Sequence, residues 1–176
     1  MKRLIGTIDV IAFAIYGAFF SAFILAAAAL MSLLPRRRYR GGRINKLSFA
    51  VFDLISNKYS SMLDDALLNG YISNHHYIYL DFTNRHDRFE TSKEGISFHS
   101  IAAHPDNGLY NAGFNKMNML LVELKIILTA VRIASKGNIT FVKAHDPHLL
   151  GLNGLIISRI FRLPCVLHMN SDFDMK

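Results

Sequence analysis

Hydrophobic and polar positions fall into blocks of two kinds along this chain. The first block is an apolar run over residues 10–34 that holds no charge. As a helix it is long enough to cross a hydrocarbon core of ~30 Å, and it has no central charge of the kind that costs several kcal/mol there. It predicts a transmembrane anchor over residues 1–35. The second kind begins at residue 47. Short apolar runs rich in β-branched and aromatic residues there take turns with segments whose apolar residues recur every three or four positions.

Residues 47–53 read as a buried strand ending in Asp53. Residues 58–70 carry Tyr59, Met62, Leu63, Ala66 and Leu67 at helical spacing and close on Asn69 and Gly70, a C-cap signal. Residues 76–82 predict a strand, the polar stretch 83–94 a loop, and the alternating stretch 95–101 another strand, suited to a sheet edge. Residues 104–115, rich in Gly, Asn, Asp and Pro, predict a loop. A long amphipathic helix follows over 118–135, then a strand over 139–145. Pro147 suits the first turn of a helix running to about residue 162, where its missing N–H costs nothing. Residues 165–169 are the last strand.

The resulting order, β-α-β-β-loop-α-β-α-β, implies an α/β domain with a mainly parallel sheet and helices on both faces. Ligands of such sheets bind beyond the carboxyl ends of the strands. The residues to inspect are therefore Asp53, Ser56 and Asn57, then Asp81, His99, Asp146, His148, His168, Asn170 and Asp172.

Charge sharpens the picture at the N-terminal end. Lys2, Arg3, Arg36, Arg37, Arg38, Arg40, Arg43 and Lys46 against Asp9 account for the whole net charge of +7; the acids and bases of residues 47–176 balance. The linker 36–46 therefore reads as a stop-transfer flank, with Arg36, Arg37, Arg38, Arg40 and Arg43 attracted to anionic lipid head groups. That flank explains the basic cluster without nucleic acid. The bias of positive charge favours residues 36–176 on the cytoplasmic side of a single-pass membrane protein. A cleaved signal peptide is the rival reading, with Ala26 to Ala29 as a small-residue site. The apolar run is longer than such a core requires. Cys165 is the single cysteine, so no intrachain disulfide can form, and its apolar neighbours suggest core filler.

Several chemistries lack their motifs. No Gly-rich phosphate loop follows the first strand, which speaks against a dehydrogenase or NTPase; Gly151 and Gly154 instead fit close helix–sheet packing. No Gly-x-Ser-x-Gly elbow is present. His145, Asp146, His148, His168, Asp172 and Asp174 invite a metal-dependent hydrolase reading, but no HExxH-like spacing supports it, and no metal is assigned.

The last fifty residues carry a further pattern. Ala144, His145, Asp146 and Pro147 close a strand; a helix with Gly151 and Gly154 follows; Pro164 then opens a strand running through Val166 and His168 to Asn170 and Asp172. In order and spacing this resembles the acceptor-side domain of GT-B glycosyltransferases, in particular the family of retaining enzymes that build cell-envelope polysaccharides and glycolipids. The likeness covers mainly residues 118–174, with a looser match of layout from 47. Asn170 stands where that family often has a His, six residues after the Pro. The resemblance implies a Rossmann-like domain over 47–176 as one half of a GT-B fold. It implies transfer of a sugar from a nucleotide sugar to a saccharide or lipid-linked acceptor, without a bound cofactor. Asp146, His148, His168, Asn170 and Asp172 would bind the acceptor or line the cleft, with no catalytic residue singled out. The family's second, nucleotide-sugar-binding domain does not appear before Lys176. The expectation is a fragment, or a non-catalytic membrane-anchored subunit or relic whose partner chain supplies that half.

Overall fold

The apolar runs pair side by side into one sheet. The computed structural model describes residues 2–32, 44–51, 72–91, 95–136, 139–144 and 149–167. Among these, β1 (Ile44–Val51), β2 (Ile72–Asp81), β4 (Ile96–Ala102), β5 (Phe141–Ala144) and β6 (Cys165–Leu167) run parallel, and β3 (Arg88–Thr91) lies antiparallel along β4. The order across the sheet is β3-β4-β2-β1-β5-β6. Four helices accompany it: α1 (Lys2–Ser32), α2 (Gly108–Asn111), α3 (Asn115–Lys136) and α4 (Leu149–Phe161).

Register decides which side chains share a face, because strand side chains alternate. Leu47 stands opposite His76 and Val142, and Phe49 opposite Ile78 and Ala144. Leu47, Phe49, Ile78, Ile101, Val142 and Ala144 thus form one apolar face, and all are buried. Onto it α3 lays Val122, Ile126, Ala130 and Ile133, and α4 lays Leu150 and Ile157. Each fully buried Leu, Ile or Phe contributes about 1.5–3 kcal/mol. Gly154 lets α4 come close, as its spacing suggested. A Cβ there would stand 3.0 Å from the Cβ of Ala144 and 3.5 Å from the Cys165 sulfur. Cys165 itself is half-buried at the sheet margin.

The anchor expected over residues 1–35 is corrected. Among the described residues, no helix is long and apolar enough to cross a membrane. Residues 10–32 of the apolar run are part of α1, which starts at Lys2 and touches both α3 and α4. Asp9, just ahead of the run, is buried, and its carboxylate accepts hydrogen bonds of 2.9 Å from the backbone N–H groups of Lys116 and Met117. A polar contact of that kind ties the first part of α1 to the start of α3. The single-pass, cytoplasm-facing location inferred from the anchor is withdrawn with it.

Other details of the layout are also corrected. Among the described helices, α3 and α4 touch each other and share one face; the expected cover of the other face falls on residues outside those described. The helix expected over 58–70 lies outside the described residues. The segment 83–94, expected as a loop, holds β3, and β3 rather than β4 forms that edge. The loop expected over 104–115 contains the short α2. At the far edge Val166 and Leu167 are exposed, where a buried strand was expected.

Candidate functional site

The parallel strands β4-β2-β1-β5-β6 are wound outward in two directions from β1. Such an order has a switch point, here between β1 and β5, and a crevice at the carboxyl ends of those strands. The chain leaves β5 at Ala144, beside Phe49, and the next described element, α4, begins at Leu149. Asp146 and His148 fall between these points and lie outside the described residues. So do His168, Asn170 and Asp172, as well as Asp53, Ser56 and Asn57 and the basic positions Arg36, Arg37, Arg38, Arg40 and Arg43. None of the cleft residues suggested by the resemblance is thus brought to another by the described structure. Among the described residues, no three metal-ligating side chains come together.

Asp81 does stand at the carboxyl end of β2, but its oxygens are already engaged. Oδ1 accepts from the Thr83 N–H at 2.8 Å, the Thr83 hydroxyl at 2.7 Å and the Asn84 N–H at 3.0 Å. Oδ2 accepts from the Asn84 side chain and from the Ser100 hydroxyl. Burial alone would raise its carboxyl pKa, but the donors of Asn84 and Thr83 outweigh it and hold the group well below the usual carboxylate range. Asp81 is a turn lock, with no free lone pair directed at a ligand.

The turn it locks projects an aromatic group past the strand ends. Phe82, directly after β2, is exposed, and its ring meets that of His104 edge-on at 5.8 Å. His104, just beyond β4, stacks on Tyr110 of α2 at 5.1 Å. Asn107 fixes α2 by accepting from the Tyr110 N–H at 2.7 Å and donating to Asn118 Oδ1 at 3.1 Å. Asn118 in turn donates to the Ala103 carbonyl. The sequence predicts Phe82 as the end of a strand, Asn118 as the start of a helix and the stretch between 104 and 115 as a loop, with no site among them. The alternation of aromatic and amide residues over 104–118 was the available signal.

Two groupings lie away from the carboxyl edge. On the face opposite α3 and α4, the Ser48 hydroxyl and His75 Nε2 are 2.9 Å apart, with Lys46 and Lys143 at neighbouring register positions. Burial, with Lys143 nearby, lowers Lys46 to about 8. A Ser–His pair suggests a nucleophile, but Ser48 is 0% and His75 1% exposed, which denies a substrate access. The pair is structural.

The other grouping is an open cavity of 630 Å³ between the last half of α3 and the β3–β4 edge. His76 and His99 meet in it, with His99 Nε2 3.4 Å from His76 Nδ1. Burial lowers both pKa values, that of His99 to about 4 with a further push from His76, so both imidazoles are neutral at pH 7. His99 is therefore a mid-strand cavity residue and not part of the carboxyl edge, because β4 continues to Ala102.

Comparison with known proteins adds no relative: no family model, no curated protein and no solved structure matches the chain.

Proposed function

We propose that this chain is the acceptor-side domain of a GT-B-like glycosyltransferase, which moves a sugar from a nucleotide sugar to a saccharide or lipid-linked acceptor. The observation that carries the reading is the strand order. A parallel sheet wound outward from β1 has its ligand crevice at the carboxyl ends of β1 and β5. The Ala-His-Asp-Pro stretch that resembles the family begins at Ala144, the last residue of β5. Asp146 and His148 are the residues assigned to acceptor hydroxyls, with Asn170 as a further donor and acceptor. The exposed ring of Phe82, backed by His104 and Tyr110, offers the flat apolar surface on which the C–H face of a pyranose packs.

The test is a transfer assay with a panel of labelled nucleotide sugars and extracted envelope glycans, using the protein as its gene expresses it. Asp146→Ala should abolish most transfer while circular dichroism stays native. Phe82→Ala should raise the acceptor KM severalfold with a smaller change in kcat. Absence of transfer from every donor, together with no glycan-dependent NMR shift at Phe82, His104 or Tyr110, would overturn the reading.

A further inference from the structure

The cavity against the β3–β4 edge has a composition that the transferase reading does not use. It lies on the margin of the sheet, where the last two turns of α3 pass over the β3–β4 pair. Its floor is aromatic and apolar. Phe89 and His99 are register partners on β3 and β4 with ring centroids 4.8 Å apart, Ile101 extends the floor, and Ile133 of α3 adds an apolar side chain beside it. Phe89 is 64% exposed, a large ring left open on an edge strand.

Its wall is cationic. Arg132 and Lys136 line it from consecutive turns of α3, on the same helix face. Neither forms an ion pair among the described residues. The one acid at the cavity among the described residues, Asp87, is paired with Lys125 and accepts the Ala102 N–H. Arg88 also lines the cavity, from the strand position in register with Ser100 and not with His99. Cations in a last helical turn offset the partial negative charge there. That role needs neither an aromatic floor nor a cavity of ligand size.

We infer that this cavity is a binding site for a planar ring carrying a phosphate, with the ring stacked on Phe89 and His99 and the phosphate held by Arg132 and Lys136. Two cations one helical turn apart match the two charges of a phosphate monoester. A guanidinium offers it a forked pair of donors. The neutral imidazoles of His76 and His99 place no competing charge under the ring, and the Thr129 hydroxyl lies at the same wall. The site is on the margin of the sheet away from the switch-point crevice, so it stands or falls independently of the transferase reading.

The experiment is calorimetric and NMR titration of the whole chain with adenosine 5′-monophosphate, adenosine and inorganic phosphate as separate probes. The monophosphate should bind at least tenfold more tightly than either adenosine or phosphate, and should shift the imidazole signals of His76 and His99. Arg132→Ala and Lys136→Ala should each weaken it about tenfold, the amount expected for one charged hydrogen bond. Phe89→Ala should weaken adenosine and the monophosphate alike. Lys116→Gln, the same charge change at the other end of α3, should leave binding unchanged. Binding of the monophosphate no tighter than phosphate, equal loss in Lys116→Gln, or immobile His76 and His99 signals would each overturn the site.

Discussion

At its first turn α3 is gripped by polar groups from distant parts of the chain; at its last turn its polar side chains are held by none among the described residues. At the start, Asp9 of α1 accepts from two free N–H groups, and Asn107 and Asn118 link the helix to α2 and the end of β4. At the end, Arg132 and Lys136 line a cavity and form no ion pair among the described residues, the Asp87 carboxylate there being held by Lys125. A helix N-terminus leaves backbone donors that need acceptors, and here a buried carboxylate provides them. The difference separates charge that holds the fold from charge left available to a ligand.

Three variants test that separation. The largest effect is expected from Asp9→Ala, which strips the first turn of both acceptors and frees one end of α1. Denaturant unfolding should show a loss of roughly 2 kcal/mol, and limited proteolysis should then cut within α1. A loss below about 0.5 kcal/mol would mean that α1 is not fastened there.

Glu123 lies midway along α3 and comes next. Burial pushes its carboxyl up to about 6, while the amide of Asn153 pulls the other way. Because the folded value lies above the unfolded value of 4.5, the folded state binds the proton more tightly. The charged carboxylate is therefore a penalty at neutral pH, relieved as pH falls through 6 toward 4.5. Glu123→Gln should stabilise the protein by about 1–2 kcal/mol at pH 7. The gap between variant and parent should close by pH 4.5. A gap that does not change with pH would assign the effect to packing.

The smallest effect on stability belongs to the Arg132→Ala, Lys136→Ala double variant. Its unfolding free energy should stay within about 0.5 kcal/mol of the parent, even as phosphate-ligand binding falls. A stability loss as large as that of Asp9→Ala would erase the contrast between the two ends.

Much of the sheet was legible in the chain because buried parallel strands declare themselves. Leu47, Phe49, Ile78 and Val142 sit in unmistakable apolar runs, and the helical spacing over 118–135 places α3 within a turn of its ends. β3 was not legible. Arg88, Phe89, Glu90 and Thr91 are exposed and form a strand only because β4 pairs with them, a contact outside any local window. The docking of α1 was hidden for the same reason: the residues that use Asp9 lie far along the chain. The exposure of Val166 and Leu167 follows from β6 being an edge, which depends on strand order and not on composition. His76 and His99 could each be placed in a strand, but their meeting depends on the β2–β4 register. The cleft residues suggested by the resemblance lie outside the described residues, so the candidate site was legible as a location on the sheet and not as a set of contacts.

The fastening of α1 also carries a time. Asp9 and Lys116 are 107 residues apart. At a synthesis rate of ~5–20 residues per second, roughly 5–20 seconds separate the making of the one from the other. The helix α1 is thus made first, and one of its fixing partners emerges only after β1, β2, β3 and β4. During that interval Asp9 has no N–H groups of α3 to accept from. Nascent chains stalled short of residue 116 should be the form of this protein most prone to capture by holdase chaperones.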